Sequence, residues 1–198
     1  MGGILNHSPS MKVINLIGAP GIGKSKTGEI LGGLLSLSGY NVEFVPEFAK
    51  FATFSGHEAA LQDQIYMFAK QENRLHVLKS HDLDFVLMDG PLIQQLAYAP
   101  EKYFEYYEKL VVEVFNSFDN INYFFQRNPE IAYQKVGRKE TPSESEMRQR
   151  DIERILLKHQ IAHTRVMVNP ALPKKLLREI TGKPLSEELV RRVLGPDE

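Results

Sequence analysis

The stretch Val13–Leu35, VINLIGAPGIGKSKTGEILGGLL, decides the fold. Its first residues form an apolar run that Gly18 ends, which is typical of a buried parallel strand. The eight residues from Gly18 to Ser25, GAPGIGKS, fit the pattern G-x-x-x-x-G-K-[ST] of a phosphate-binding loop. Helical spacing of apolar residues follows from Gly23 to Ser38, so the motif stands between a strand and a helix as its chemistry requires.

Each part of this loop suits the binding of a polyphosphate. The glycines let the backbone turn tightly and direct successive N–H groups inward, while the following helix adds the partial positive charge of its N-terminus. Lys24 can reach the β- and γ-phosphates, and the Ser25 hydroxyl can coordinate Mg²⁺. The residues predicted to bind the nucleotide are Gly18, Gly21, Ile22, Gly23, Lys24, Ser25, Lys26 and Thr27.

Four further apolar runs alternate with helical patterns along the chain. These runs lie at 42–45, within 84–91, at 121–125 and at 161–168, and helices are predicted at about 58–79, 101–118 and 186–194, with another ending near residue 159. Such alternation predicts an α/β fold whose parallel sheet is covered by helices on both faces. A chain of 198 residues suits one domain, 1–198, with a flexible tail at 1–10.

The composition excludes several classes of protein. A formal net charge of −1 builds in no general attraction to nucleic acid or anionic membranes. The absence of cysteine removes disulfides, thiolate catalysis and cysteine-rich zinc sites. The first residues lack the pattern of a signal peptide, and no apolar run approaches the roughly 20 residues of a membrane span. We therefore expect a cytoplasmic, intracellular protein with no membrane partner.

Two acidic residues follow predicted strands. Asp89 ends the strand in DFVLMDGP, where a second Mg²⁺ ligand is expected, although an acid can also simply end a strand at a turn. Glu47 stands just past the strand in VEFVPEFAK, at the edge where ligands of open α/β sheets collect. A carboxylate there can orient or deprotonate the hydroxyl of an acceptor, whereas the alternative is a solvent-exposed glutamate that opens a helix.

The segment 126–150 is polar and basic, and it predicts a lid. Its sequence from residue 127, RNPEIAYQKVGRKETPSESEMRQR, contains four arginines. An arginine on such a lid can neutralise a phosphoryl group in transfer and help to expel water, which competes with the acceptor. The alternative is a charged surface loop followed by a helix rich in arginine and glutamate.

The phosphate loop together with VPEFAK, LMDGPL and VGRKETPSESE resembles the P-loop nucleoside and nucleotide kinase superfamily over about residues 12–168. The closest likeness is to the ribosylnicotinamide-kinase-like branch of bacteria and phages. This resemblance implies a three-layer P-loop NTPase fold with a five-stranded parallel sheet, Mg-ATP as the donor, and a lid on which Arg127 and Arg138 match best. Many relatives carry an arginine where Gly90 stands, so either another residue makes that acceptor contact, with Arg74 and Gln71 as candidates, or the acceptor differs.

These residues together predict a kinase that moves the γ-phosphate of Mg-ATP to a hydroxyl or phosphate of a small nucleoside- or nucleotide-like acceptor. The choice of ATP over GTP depends on the resemblance alone. The predicted catalytic residues are Lys24, Glu47, Asp89, Arg127 and Arg138, and the predicted Mg²⁺ ligands are Ser25 and Asp89.

Two alternatives remain open at this point. A phage-type kinase could phosphorylate 5-hydroxymethyluracil within DNA, with the aromatic run at 98–115, YAPEKYFEYYEKLVVEVF, stacking on bases unless it builds the core. A P-loop ATPase or GTPase would instead hydrolyse its nucleotide. The AAA class of mechanical ATPases is disfavoured because the chain is short and Asp89 is followed by Gly90 rather than by a second acid. The acceptor and the oligomeric state are left open.

Overall fold

The structure is a computed structural model that describes residues 11–131 and 140–186. Its central feature is one sheet with the strand order β2-β3-β1-β4-β5, in which each neighbouring pair is parallel. The predicted five-stranded parallel sheet is therefore confirmed. The strands are β1 (Lys12–Ile17), β2 (Val42–Val45), β3 (Phe85–Asp89), β4 (Asp119–Gln126) and β5 (Thr164–Met167).

Helices connect successive strands and cover both faces of the sheet. A parallel connection needs such a crossover because the chain must return to the starting edge before the next strand begins. The α-helices of the described residues are α1 (Lys24–Leu37), α2 (Phe48–Phe54), α3 (Glu58–Gln62), α4 (Gln64–His76), α5 (Tyr107–Asn116), α6 (Pro142–Lys158) and α7 (Leu172–Thr181). Two 3₁₀ helices, Val77–Ser80 and Leu92–Tyr98, stand on either side of β3.

The alternation of side chains along β1 divides the core into two layers. Val13 and Ile17 belong to a cluster that includes residues of α4, α5 and α6. Ile14 and Leu16 belong to the cluster formed with α1 and α7. Because successive side chains of a strand point to opposite faces, this run of apolar residues fills both layers at once. The sheet is thus buried on both sides and can act as a rigid base for the loops at its carboxyl edge.

The predicted helix at 58–79 is in fact interrupted. Asp63 has an extended backbone, with φ −92° and ψ 93°, and its side chain accepts a hydrogen bond from the backbone N–H of Tyr66 at 3.0 Å. An aspartate that caps a new helix in this way favours a break, because it satisfies one of the free N–H groups of the first turn. The single helix of the prediction is therefore replaced by α3, α4 and the 3₁₀ turn Val77–Ser80.

Other boundaries also differ from the prediction. The predicted helix at 101–118 begins only at Tyr107, and the residues before it include the 3₁₀ helix Leu92–Tyr98. Helix α7 was not predicted, and most of the predicted helix at 186–194 lies outside the described residues. Within the described ranges, no helix is both long and apolar enough to cross a membrane.

Candidate functional site

The phosphate loop joins the end of β1 to the start of α1 at the carboxyl edge of the sheet. Gly18, Gly21 and Gly23 have φ angles of 147°, 80° and 100°, which side chains with a Cβ rarely adopt. At Gly23 a Cβ would also lie 2.9 Å from Cγ1 of Val168, just after β5. The spacing of glycines in the motif therefore follows from backbone geometry and from close packing against the neighbouring loop.

Lys24 begins α1 and lies inside the loop rather than in solvent. Its side chain is only 5% exposed, and its Nζ donates a hydrogen bond to the backbone carbonyl of Ala19 at 2.8 Å. No carboxylate of the described residues forms an ion pair with it. A buried cation bonded to a neutral carbonyl is available to a negatively charged phosphate. By contrast, Lys26 is exposed and pairs with Glu29 at 2.8 Å.

Ser25 and Asp89, the two predicted Mg²⁺ ligands, lie against each other. The parallel register pairs Asp89 with Leu16, the residue before the last of β1, which brings the end of β3 to the phosphate loop. The Ser25 hydroxyl donates a hydrogen bond to Asp89 Oδ2 at 2.5 Å. Asp89 is 1% exposed, and its other oxygen, Oδ1, has no hydrogen-bond partner in the described parts of the chain. An unpaired carboxylate oxygen beside a hydroxyl fits Mg²⁺, which prefers oxygen ligands and retains several waters.

Glu47 lies two residues past β2, the strand on the other side of β3, where it precedes α2, and its side chain packs over Gly90. A Cβ at position 90 would lie 2.7 Å from Glu47 Cγ, and Gly90 has a φ of 74°. Burial raises the pKa of Glu47 to about 7, although the positive charge of Lys24 opposes this rise. The nearby carboxylate of Asp89 raises the pKa further. Gly90, which departs from the pattern of the resembled kinases, therefore makes room for the acid at the site.

Gln71 fixes the ends of β2 and β3 relative to each other. Its buried side chain accepts a hydrogen bond from the Phe48 N–H at 2.9 Å and donates one to the Asp89 carbonyl at 3.0 Å. Arg74, one turn further along α4, donates to the Pro46 carbonyl at 3.0 Å, and its guanidinium stacks on Phe48. The structure thus places both candidate acceptor contacts in the framework that holds Glu47 and Asp89, and neither lines the cavity described below.

Helix α6 is attached to the phosphate loop, which the sequence did not indicate. The Ser145 hydroxyl donates to the Pro20 carbonyl at 2.7 Å, and Gln149 accepts from the Ala19 N–H at 2.7 Å. Gln94, in the 3₁₀ helix after β3, accepts from the Gly18 N–H at 2.9 Å. The first half of the loop is therefore held by side chains from distant parts of the chain.

Only part of the predicted lid lies within the described residues. Of its two candidate arginines, Arg138 lies outside the described residues. Arg127 donates to the Ser145 hydroxyl at 3.0 Å, beside the phosphate loop, and contributes to a depression that Ala19 and Ile22 also line. Arg148 stacks on Tyr98 and donates to the carbonyl of Ala97. The second part of the predicted lid, from Pro142, is the regular helix α6 rather than a loop.

A cavity of about 200 Å³ opens beside the phosphate loop. Lys24, Ser25 and Glu47 contribute to its wall, together with residues of α2, α3, α4 and the 3₁₀ helix Leu92–Tyr98. Two buried glutamines of the wall, Gln64 and Gln95, were not predicted from the sequence. Buried glutamines beside a cavity become a recognisable signal only once the fold is known. The remaining polar residues of the wall are Lys50, Thr53, Gln62, Tyr98 and Glu140.

The aromatic run at 98–115 contributes largely to the core. Tyr107, Val111 and Phe115 are buried on one side of α5, at the spacing of a helix face. Phe104 and Tyr106, in the segment before α5, are exposed. The core interpretation of the run is therefore confirmed for α5, and before α5 it holds for Tyr98 and Tyr103, which are half-buried against the same core, but not for the two exposed residues.

Comparison with known proteins agrees with the geometry of the loop. Residues 13–170, which include the loop, Glu47 and Asp89, match the model of a family described as an AAA domain. No curated protein matches the chain. The sequence disfavours a mechanical ATPase of the AAA class, and the match gives the family without specifying an ATPase or a kinase. The chain belongs to this AAA domain family, a P-loop NTPase-type family of nucleotide-binding proteins.

Proposed function

We propose that this protein is a phosphotransferase that moves the γ-phosphate of Mg-ATP to a hydroxyl of a small nucleoside-like acceptor. The observation that carries the proposal is the position of Glu47. Its carboxylate lines the same cavity as Lys24 and Ser25, burial raises its pKa to about 7, and it forms no hydrogen bond with the described residues. A carboxylate with these properties can accept a proton near neutral pH from a hydroxyl bound in the cavity.

The positions of the acidic residues favour phosphoryl transfer to an acceptor over hydrolysis by bulk water. Asp89 is followed by Gly90, so β3 supplies one carboxylate and no neighbouring acid that could activate water. Glu47 instead follows β2 and lines a cavity whose wall also contains apolar residues of α3 and α4, Leu61 and Met67. A cavity of mixed apolar and polar character suits an organic acceptor, which would displace water from the γ-phosphate.

The proposed reaction is an in-line transfer. The acceptor oxygen attacks the γ-phosphorus, a new O–P bond forms, and the bond from the γ-phosphorus to the bridging oxygen of ADP breaks. The proton of the acceptor hydroxyl passes to Glu47. Lys24 leaves the Ala19 carbonyl to hold the phosphates, and Arg127 and Arg138 balance charge from the predicted lid. Ser25 and Asp89 would hold Mg²⁺, which supplies charge neutralisation when bound.

A transfer assay with γ-labelled ATP tests this function. The protein is incubated with Mg-ATP and with nucleosides, nucleoside monophosphates, nicotinamide riboside, or DNA containing or lacking 5-hydroxymethyluracil. Label on a nucleoside, lost in Glu47→Gln and retained in Glu43→Gln, is the expected result, because Glu43 is exposed on β2 and does not line the cavity. Label on a monophosphate or on modified DNA would transfer the proposal to that acceptor. Equal activity in the wild type and Glu47→Gln would refute the role of Glu47.

Hydrolysis is the second candidate, and membership of the AAA domain family favours it. In that case Glu47 would activate a water molecule instead of an acceptor hydroxyl. The same assay separates the two, since steady release of labelled inorganic phosphate with no labelled acceptor indicates an NTPase.

A further inference from the structure

Ser145 is buried between α6 and the phosphate loop. The residue is 0% exposed, although it is the fourth of a helix whose first three residues are exposed. A serine inside a helix usually bonds back to the carbonyl four residues earlier or faces the solvent. Here the hydroxyl donates instead to the Pro20 carbonyl at 2.7 Å. The hydroxyl therefore makes a contact between distant elements rather than within its own helix.

The same hydroxyl also holds the guanidinium of Arg127. Arg127 directly follows β4, and its Nη2 donates to Ser145 Oγ at 3.0 Å. A hydroxyl has one proton to donate, and the Pro20 carbonyl, which can only accept, takes it. The lone pairs of Ser145 Oγ are therefore left for Arg127, which can only donate. One buried hydroxyl thus joins the phosphate loop to a cation, and the direction of both bonds is fixed.

The position of this cation suits the negative charge of a polyphosphate. Arg127 is half-buried and lines a depression together with Ala19 and Ile22 of the phosphate loop. A long arginine side chain loses conformational entropy when it is held in one place, and a bond made before the ligand arrives removes that cost from the binding step. A cation held beside the loop also attracts phosphates more strongly than one that extends into the solvent, where water and salt screen its charge.

We infer that Ser145 is a positioning residue that holds Arg127 beside the phosphate loop for the binding of a polyphosphate. The Ser145 hydroxyl has no exposed surface with which to touch the ligand, so it acts through the guanidinium. The bond to Pro20 is not the main route of the effect, since the two preceding residues of the loop are each held by a glutamine side chain. This inference goes beyond the proposed function and applies equally to transfer and to hydrolysis, because it concerns only the binding of the phosphates.

A double-mutant cycle on polyphosphate binding tests the inference. Calorimetric titrations with tripolyphosphate and Mg²⁺ compare the wild type, Ser145→Ala, Arg127→Met and the double variant. Arg127→Met should weaken binding about tenfold, because the cation is removed, and Ser145→Ala about fivefold, because the cation is released. The double variant should lose no more than about tenfold, since the hydroxyl has nothing to position once the guanidinium is gone. A loss of about 50-fold, the product of two independent effects, would overturn the inference.

Two control variants separate positioning from general effects of charge and packing. Arg150 lines the same depression, but among the described residues the Ser145 hydroxyl bonds to Pro20 and Arg127 and not to Arg150. The effect of Arg150→Met should therefore multiply with that of Ser145→Ala. Ile152→Val removes one methyl group from the core face of α6 and should change tripolyphosphate affinity less than about twofold. Non-additivity with Arg150→Met, or a loss in Ile152→Val equal to that in Ser145→Ala, would contradict the positioning role.

If Ser145→Ala does not fold, Ser145→Cys takes its place in the cycle, because a thiol has a similar size but donates and accepts hydrogen bonds only weakly. Tripolyphosphate binding needs no acceptor, so the outcome is independent of the transfer assay. A non-additive cycle with no labelled acceptor supports the role of Ser145 while the phosphotransferase proposal falls. Equal affinity of the wild type and a folded Ser145→Ala would refute the inference even if an acceptor is labelled, as would the absence of tripolyphosphate binding by the wild type.

Discussion

Replacing Glu47 with glutamine should stabilise the nucleotide-free protein at neutral and alkaline pH. Burial raises the pKa of Glu47 from 4.5 to about 7, so the folded protein holds a proton that the unfolded chain releases between these values. The free energy of unfolding therefore falls as the pH rises through this interval, and the full penalty applies above pH 7. A pKa difference of about 2.5 corresponds to at most about 3 kcal/mol, because the side chain keeps some contact with solvent. Glutamine has no charge to bury and avoids this penalty.

Urea unfolding at several pH values between 5 and 8 measures the effect. The wild type and the control Glu43→Gln should lose stability as the pH rises, and Glu47→Gln should lose less by roughly 2–3 kcal/mol at pH 8. At pH 5 the wild type and Glu47→Gln should differ by less than about 1 kcal/mol, since the pH is then only about half a unit above the unfolded pKa of 4.5. If the free energies of unfolding of the wild type and Glu47→Gln differed by the same amount at every pH, the argument would be refuted. The same pH dependence in Glu47→Gln and Glu43→Gln would also refute the argument that ionising the buried Glu47 destabilises the fold.

Three further predictions concern the framework of the site. Gly90→Ala should reduce label transfer at least about tenfold and lower the free energy of unfolding by about 1–2 kcal/mol, because φ is 74° and the new Cβ would collide with Glu47; wild-type transfer rates would refute it. Lys24→Ala should weaken ATP binding at least about 30-fold in calorimetry, since a buried cation is lost, and unchanged affinity would place the phosphates elsewhere. Gln71→Leu should destabilise the fold by about 2–4 kcal/mol in urea, because it leaves two buried backbone groups without partners, and a cost below about 0.5 kcal/mol would contradict that reasoning.

The strands were predicted well because their signal is local. The run Val42–Val45 was predicted with its observed bounds, and the first strand was extended by only one residue, to Lys12. Both are short apolar segments bounded by a glycine, an asparagine or a proline. A strand that is buried on both faces needs such a continuous apolar run. The phosphate loop was equally predictable, because the backbone angles that require its glycines are set within a segment of eight residues. The break at Asp63 was missed because a continuous amphipathic pattern outweighed one capping residue.

Long-range contacts at the site were not predictable from the sequence. Ser145 and Gln149 reach the phosphate loop across more than 100 residues, and nothing in their local sequence indicates a partner. The role of Gly90 was missed for the same reason. The sequence shows that an arginine is absent at this position, but it does not show that Glu47 needs the space that a side chain at position 90 would fill. The place of Gln64 on the cavity wall was likewise not predicted, because the cavity exists only after β2, β3 and α4 have come together.

The contact between Lys24 and Ala19 has a consequence for the ligands that the phosphate loop can bind. Lys24 is removed from water and, among the described residues, its charge is bonded to the neutral Ala19 carbonyl alone, which leaves much of its desolvation cost unrelieved. Any small polyanion that fits the loop relieves it, whatever organic group the anion carries. The loop should therefore bind phosphate chains whatever group they carry, and pyrophosphate or tripolyphosphate should compete with the nucleotide for it. Selectivity for a complete nucleotide must then come from contacts beyond Lys24.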